Sequence, residues 1–443
     1  MGAKLKNLIL NSKNVILIFF IAFAGYLINL PTDYSKTMST RTYRRLLTSY
    51  DVTAATFLPY ELITKGNLFF SIETLEGMRR TEGPTVHSVM KVGDRYFSAY
   101  PILSGVMAVP IYLIPVILHK IPDLHYVENL TRILSLARIS ASFYTAISVS
   151  VFYLILTEID KLKKFRTTKW IYLFVFFYAF GTNAYAVASR SLWQHTSSLL
   201  FVSIIILFLL KSIKNERYIK WLGLLAGLLY LARPLNIVFI FILTIYVFIK
   251  HRKQFPSYLL FSLPCVVLLL AYNQSVFGKL LTSEYVVKGD TKFSTPILKG
   301  LSGNLFSPAR SFIFITPPLA VSFYSMVRVM ITKKKTPLDI ILTVLSITFI
   351  IMFVLYSKWW CWYGADRFGY GLFTEWLPIV SVFTYLAFKP SGRIIKIVFL
   401  ILVLWSLYAQ FNAVWFRKSR CSGDSHNWTF YCLKPLMFTD QEY

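Results

Sequence analysis

Thr48-Ser-Tyr-Asp-Val-Thr-Ala-Ala-Thr-Phe-Leu-Pro-Tyr-Glu-Leu-Ile-Thr-Lys-Gly-Asn-Leu-Phe-Phe70 lies in a polar interruption after the first hydrophobic run of the chain. Asp51 stands there between a segment rich in aromatic and hydroxyl groups and a short amphipathic one. A carboxylate at a membrane surface can take a proton from a hydroxyl group or bind a divalent metal ion. The alternative role is an N-cap for a helix that begins near Thr53, which is common for aspartate and is favoured by spacing alone. If the chain performs chemistry, we predict that Asp51 is its base.

The composition indicates a membrane protein. Hydrophobic residues make up 56% of the 443 residues and charged residues only 15%. Nearly uncharged runs of about seventeen or more residues recur, and such runs can cross a bilayer core of about 30 Å. We therefore predict an all-α polytopic integral membrane protein rather than two or three soluble domains.

The formal charge of +27 is distributed as in membrane proteins. Lysine and arginine collect in short loops between apolar runs, which is typical of cytoplasmic loops. These basic loops are 161–169, 211–220, 250–253, 333–335 and 389–396. No basic face interleaved with stacking aromatics occurs, so nucleic acid is not a predicted partner. Acidic residues are almost absent from the apolar runs, which argues against a proton-coupled transporter.

The basic loops also predict the topology. With the N-terminus inside and residues 15–30 as an uncleaved anchor, an odd number of crossings must separate residue 31 from the loop at 161–169. Two apolar stretches are available, and the first, 101–118, contains Pro101, Pro110 and Pro115. We predict that it lies at the membrane surface within a large exoplasmic loop, 31–132. The alternative is a kinked true span with one misplaced basic loop.

This topology gives about eleven transmembrane helices and a C-terminus outside the cell. The predicted spans are 15–30, 133–157, 169–188, 195–211, 219–232, 235–250, 257–273, 310–331, 337–356, 372–388 and 393–416. Residues 1–418 are then one transmembrane domain, and 419–443 form a short exoplasmic tail. In that tail Cys421 and Cys432 could close a disulfide.

Arginines near predicted span ends are candidate anion-binding groups. Arg233, before Pro234, could hold a lipid-linked phosphate through its guanidinium fork, or could simply snorkel to the interface. Arg138 lies one or two turns inside a span, where a charge is costly, so it should have a partner. His195 beside Trp193 is a weaker candidate, because it could simply bond Gln194.

A loop rich in tryptophan runs from Ser357 to Pro378 as Ser-Lys-Trp-Trp-Cys-Trp-Tyr-Gly-Ala-Asp-Arg-Phe-Gly-Tyr-Gly-Leu-Phe-Thr-Glu-Trp-Leu-Pro. Its alternative role is an interfacial aromatic belt. Four Trp, two Tyr, three Gly and an Asp-Arg pair in one stretch favour a binding loop instead, since aromatic faces stack on sugar rings. The predicted ligand contacts are Trp360, Trp362, Tyr363 and Asp366. The acids that compete with Asp51 as base are Asp33, Glu61, Glu73, Glu76, Glu82 and Asp94, the last being favoured as a turn residue.

Four short motifs together resemble the GT-C superfamily of membrane glycosyltransferases. They are Ser98-Ala-Tyr-Pro101, Gly223-Leu-Leu-Ala-Gly227 with Ala232-Arg-Pro234, Asn304-Leu-Phe-Ser-Pro-Ala-Arg310, and Glu375-Trp-Leu-Pro378. The resemblance covers roughly residues 16–378 and is carried by the order of the motifs. The related enzymes are the dolichyl-phosphate-mannose protein mannosyltransferases and the bacterial lipid A aminoarabinose transferases. In this family Gly-Pro-Arg tends to precede the next span, whereas this chain has Gly369-Tyr370-Gly371 and would have to use Arg367.

The resemblance implies inverting transfer of a sugar from a polyprenyl-phosphate donor to a hydroxyl group of a glycan, lipid or protein acceptor. The site would lie on the exoplasmic face of the plasma (inner) membrane, in the cell envelope. The resemblance also implies that Asp51 is the base and that 101–118 is the second of two juxtamembrane helices. Arg233, Arg310 or Arg367 would stabilise the departing phosphate, with Mg²⁺ or Mn²⁺ as an open alternative cofactor. Substrate contacts would come from Tyr100, Trp193, His195 and the aromatic loop. The alternatives are a lipid-linked glycan flippase and a catalytically inactive assembly partner.

Overall fold

The computed structural model describes a largely helical chain. The described residues are 2–30, 49–118, 121, 124, 126–165, 169–282, 292–365, 367–415 and 427–428. The helices of the first half are α1 Gly2–Leu27, α2 Thr53–Lys65, α3 Ile72–Glu82, α4 Leu103–Ile117, α5 Val127–Lys163, α6 Trp170–Phe180, α7 Gln194–Ser212 and α8 Tyr218–Ala232. The helices of the second half are α9 Ile237–Lys250, α10 Phe255–Phe277, α11 Ile297–Phe306, α12 Phe312–Ile315, α13 Val321–Ile331, α14 Pro337–Lys358, α15 Leu377–Phe388 and α16 Arg393–Trp415.

Several of these helices are long and apolar enough to cross a membrane. Within the described residues there are six such segments, Glu128–Lys163, Gln194–Ser212, Arg252–Phe277, Pro337–Lys358, Gly371–Phe388 and Arg393–Trp415. Shorter apolar helices cover Ser12–Leu27, Leu103–Ile117, Trp170–Phe180, Tyr218–Ala232, Pro234–Lys250 and Pro317–Ile331. The prediction of an all-α, multi-pass membrane protein is confirmed at this level.

Two predicted spans are interrupted. The run 169–188 breaks after α6 and continues as a π-helical turn, Ala184–Ala188. The run 310–331 divides into α12, a 3₁₀ turn at Pro317–Ala320 and α13. Proline lacks the backbone N–H that an α-helix needs, so the Pro317-Pro318 pair explains the second break.

A small β-hairpin follows α3 in the otherwise helical chain. Strand β1, Val89–Val92, pairs antiparallel with β2, Arg95–Ser98, and Val92 lies opposite Arg95. The connection is a two-residue turn, in which Gly93 has a φ of +60° and Asp94 takes the predicted turn position. A two-residue Gly-Asp turn between short runs is a hairpin signal in the sequence.

Helix α4 packs on α2 and α5 through one face only. Its 15 residues span about 22 Å at about 1.5 Å per residue, less than a bilayer core of about 30 Å. On the packed face the Tyr112 hydroxyl donates to the carbonyl oxygens of Thr56, at 3.0 Å, and of Ile133, at 3.1 Å. On the opposite face Ile114 and Ile117 are 67% and 58% exposed.

The C-terminal end of α5 is joined to three other elements by charged groups. Glu158 accepts a hydrogen bond from Lys214 at 2.6 Å, and Lys163 donates to Asp339 at 2.7 Å. The buried Asp160 accepts from the Tyr385 hydroxyl at 2.6 Å and from Lys389 at 3.1 Å. These contacts fix α5 to the loop after α7 and to α14 and α15.

Helices α8 and α10 approach closely at the Gly223-x-x-x-Gly227 motif. A Cβ atom built on Gly223 would overlap the carbonyl oxygen of Tyr258, and one on Gly227 would meet Cys265. Small residues allow such backbone contact between membrane helices, where lipid supplies no hydrophobic drive for association.

We expect Gly223→Ala to destabilise the protein, because the added methyl group must push α10 away from α8. Overpacking of this kind costs about 1–3 kcal/mol. The matched control is Gly392→Ala, since no atom lies within 4 Å of a Cβ built there. Thermal melts of both variants in the same detergent test the expectation, and equal melting temperatures would contradict it.

Candidate functional site

Asp51 lies in a 3₁₀ turn, Tyr50–Val52, immediately before α2. The N-cap of α2 is Val52, with no side-chain cap, so the N-cap role considered for Asp51 is wrong. Its carboxylate instead accepts from the Tyr100 hydroxyl at 2.9 Å through Oδ1 and from Arg367 Nη2 at 2.7 Å through Oδ2. The Asp51 side chain is 28% exposed. It is therefore accessible and held in a fixed orientation.

Arg367 connects Asp51 to Trp193. Its guanidinium carbon lies 4.5 Å from the centre of the Trp193 ring, which fits a cation–π contact. Neither Arg367 Nε nor the indole Nε1 of Trp193 has a hydrogen-bond acceptor among the described residues. Buried N–H groups are normally bonded, so the stacked pair offers two donors to an acceptor from outside the chain.

Arg310 supports the loop that carries Arg367. It is 2% exposed and donates to the Arg367 carbonyl at 2.6 Å and to Asn427 Oδ1 at 2.8 Å. Its guanidinium carbon lies 5.8 Å from the centre of the Tyr363 ring. Arg310, predicted to bind phosphate, therefore makes contacts that brace the loop, and Asn427 of the predicted tail lies beside it.

The other predicted members of the aromatic loop differ in exposure. Trp362 is 2% exposed and packs against Gly303, where no side chain would fit, so it holds the loop on α11. Trp360 is 46% exposed. Asp366 lies outside the described residues, as does Asp33. The loop also contains Ala365 at a φ of +49°, a conformation that is uncommon for residues other than glycine.

Beneath Trp193 lies a fully buried charged cluster around Glu375. Its Oε1 accepts from Arg233 and, at 2.7 Å, from the Tyr356 hydroxyl, while its Oε2 contacts His195 Nδ1. His195 is thus paired with Glu375 and not with Gln194. Arg233 is 6% exposed, so it does not snorkel to a surface. The Trp193 and His195 ring centres are 6.3 Å apart, which places the cluster next to the Arg367–Trp193 pair.

Glu375 was not predicted as a site residue. The available signal was an acid inside an apolar stretch, which requires partners when it is buried. Its partners lie 142 and 180 positions away along the chain, in Arg233 and His195. No local pattern connects residues at that separation.

Acids that competed with Asp51 have structural roles. Glu61 is fully buried and accepts from the Ser71 amide at 3.1 Å and from the Thr74 hydroxyl at 2.5 Å, at the start of α3. Glu73 pairs with Lys65 at 2.8 Å. Glu76 lines a surface cavity of about 240 Å³ on α3.

Glu82 ends α3 and is 2% exposed. Burial raises the pKa of its carboxyl group, and this effect is opposed by the nearby Ser88 and Thr53 hydroxyls and by a hydrogen bond from the His87 amide. The His87 amide donates at 2.8 Å. Because the Tyr50 ring packs against His87 at a tilted angle, with ring centres 5.5 Å apart, Glu82 stabilises the segment next to Asp51.

The described side chains do not form a metal site. No group of three or more His, Cys, Asp and Glu side chains placed to hold an ion occurs among them. Asp51 alone would be a poor donor set, since Mg²⁺ and Mn²⁺ take about six oxygen ligands.

Comparisons of the chain with protein-family models, with curated proteins and with solved structures find no match. The resemblance to the GT-C superfamily accordingly stays a prediction.

We expect Glu375→Gln to destabilise the protein strongly, because it leaves the Arg233 charge buried without a counter-charge. Breaking a buried pair in this way costs about 3–5 kcal/mol. Tyr356→Phe is the control, since it removes one hydrogen bond to the same carboxylate, worth about 1 kcal/mol. Melting temperatures would show the larger loss for Glu375→Gln; similar losses would mean that the charge pair is not the dominant interaction.

The raised pKa of Glu82 makes the stability of the loop depend on pH. The folded state holds the proton of Glu82 more tightly than the unfolded state does. The stabilisation that protonated Glu82 gives the folded state is therefore complete below the ordinary glutamate pKa. It is lost as pH rises through the raised pKa. We expect the melting temperature of wild type relative to Glu82→Gln to fall as pH increases over that window. A difference that stays constant with pH would contradict this expectation.

Proposed function

We propose that this chain is a GT-C-type membrane glycosyltransferase that uses a polyprenyl-phosphate sugar donor, with Asp51 as its base. The observation that carries the proposal is the Asp51 carboxylate, partly exposed and held between Tyr100 and Arg367. A base needs a fixed position and access to the hydroxyl group whose proton it takes. Both conditions are met at Asp51.

The arrangement of apolar helices supports the proposed topology. In the proposed topology the six long segments cross the membrane, and eleven crossings require that five of the shorter apolar helices cross as well. The remaining short helix is α4, which we place at the membrane surface with its exposed isoleucines in lipid. Asp51 and Tyr100 flank the α2–α4 region, so the site would lie in the exoplasmic loop, at the depth of the lipid headgroups.

Arg367 and Trp193 suit the phosphate of the donor. A guanidinium group binds phosphate oxygens through paired N–H donors, and here one of its N–H groups and the neighbouring indole N–H lack protein acceptors. A lipid-linked phosphate would approach from the bilayer, where its polyprenyl tail remains. Arg367 contacts Asp51 and would also contact the donor's phosphate. The sugar attached to that phosphate would therefore lie beside Asp51.

The proposed reaction balances as a single displacement. The acceptor oxygen forms a bond to the anomeric carbon while Asp51 takes the proton of that hydroxyl group. The bond from the anomeric carbon to the phosphate oxygen breaks, and the lipid phosphate leaves with the electron pair. Arg367 stabilises the charge that develops on the departing phosphate. The configuration at the anomeric carbon is inverted.

We expect Asp51→Asn to lower sugar transfer by about 100- to 10,000-fold, the usual contribution of a positioned base. The assay uses purified protein in lipid nanodiscs, radiolabelled polyprenyl-phosphate sugars and an acceptor membrane extract. Asp94→Asn, an acid in the exposed hairpin turn of the same loop, is the control and should transfer normally. Melting temperatures must first show that both variants fold.

Three outcomes would count against the proposal. Transfer that survives Asp51→Asn would move the base to another residue. Movement of labelled lipid across the bilayer without transfer would favour a flippase. Tight donor binding by wild type without turnover would favour an inactive assembly partner.

A further inference from the structure

Arg138 and Arg190 meet at the C-terminal end of α1. Arg138 Nη2 and Arg190 Nη1 donate to the same oxygen, Asn29 Oδ1, and the Arg190 bond is 2.6 Å long. Arg138 comes from α5 and Arg190 follows the π-helical turn. Two cations that share one neutral acceptor repel each other, so the arrangement needs further negative charge.

The environment of Arg138 satisfies only part of that need. Its other contacts are the carbonyl oxygens of Asn29, at 3.0 Å, and of Tyr26, at 3.1 Å. Carbonyls at a helix C-terminus carry partial negative charge and favour a cation. Arg138 is 3% exposed, yet its Nε–H has no acceptor among the described residues.

No carboxylate contacts this pair in the described part of the chain. The acceptors of both arginines are carbonyl and amide oxygens, which carry no full charge. Burying a cation without a counter-ion is costly, and the cost rises where a membrane lowers the dielectric constant. Arg190 is only partly buried, so an anion can reach the pair from its side.

The surroundings point to a lipid as the source of the anion. Trp415 donates to the Tyr185 hydroxyl at 3.3 Å, and Tyr185 stacks on Tyr26 with ring centres 6.0 Å apart. Ile28 and Trp415 are 70% and 40% exposed. An exposed tryptophan beside exposed aliphatic groups at the ends of apolar helices is typical of the level of lipid headgroups.

We propose that Arg138 and Arg190 form a binding site for the phosphate of an anionic membrane phospholipid. The phosphate would accept from the Arg138 Nε–H and from the remaining N–H groups of Arg190, and its acyl chains would lie along Ile28 and α16. Basic pockets between membrane helices bind lipid headgroups by this chemistry. The bound lipid supplies the missing charge and ties α1 to α5. This site uses none of the groups assigned to sugar transfer.

The test measures lipid binding to the full-length protein in detergent by native mass spectrometry. The probes are phosphatidylglycerol, uncharged diacylglycerol and inorganic phosphate. We expect phosphatidylglycerol to bind wild type, and Arg190→Gln to weaken that binding at least about tenfold, as loss of a charge-assisted bond does. Arg190→Lys should retain much of the affinity. Arg132→Gln, which alters a partly exposed arginine of α5, the helix that carries Arg138, should bind as wild type does.

Several results would overturn the proposal. Equal phosphatidylglycerol affinity in wild type and Arg190→Gln would remove the site, and equal affinity for diacylglycerol would remove the role of phosphate. Inorganic phosphate that binds as tightly as phosphatidylglycerol would mean a soluble anion. The losses of stability in Asp33→Asn, in Arg190→Gln and in the double variant can also be compared. If all three losses are equal, Asp33 of the chain itself supplies the counter-charge to Arg190, and no lipid is needed. Because the measurement is binding, its result is independent of sugar transfer by Asp51.

Discussion

The buried carboxylate of Glu375 is the constraint on which the candidate site depends. It has no contact with solvent, so its charge must be satisfied by the protein. Arg233, Tyr356 and His195 do so from three different helical segments. Those segments can therefore move little relative to each other, and Trp193 and Arg367 lie on the structure that they fix.

Above this cluster the charges are arranged differently. Asp51 and Arg367 form an ion pair near the surface, where solvent screens it and an incoming group can compete for either partner. The deeper pair, Arg233 with Glu375, offers no such access. The buried Arg233–Glu375 pair thus supports the Arg367–Asp51 pair, whose partners an incoming group can reach.

The sequence predicts the parts of this structure that depend on local pattern. Apolar runs give most of the helices, and Asp51 stands out by its position after the first apolar run. The break before α13, at Pro317 and Pro318, falls inside a run predicted as one span. The tertiary pairs are not predictable in this way. Arg367 and Asp51 are 316 positions apart, and Glu375 finds partners in three other helical segments. His195 illustrates this limit of sequence-based prediction. Its neighbour Gln194 could accept a hydrogen bond, but the buried ring contacts the carboxylate of Glu375, 180 positions away.

The position of Asn427 has a consequence for covalent modification. This residue begins the triplet Asn427-Trp-Thr429, which matches the acceptor sequence for N-linked glycans. In the folded chain Asn427 is fully buried, its side-chain oxygen accepts from Arg310, and its carbonyl accepts from Ser307. A glycan needs the asparagine amide at the surface, so the folded state protects this triplet. Attachment of a glycan before folding would displace Arg310 from its contact, and the modification and the native loop are therefore mutually exclusive.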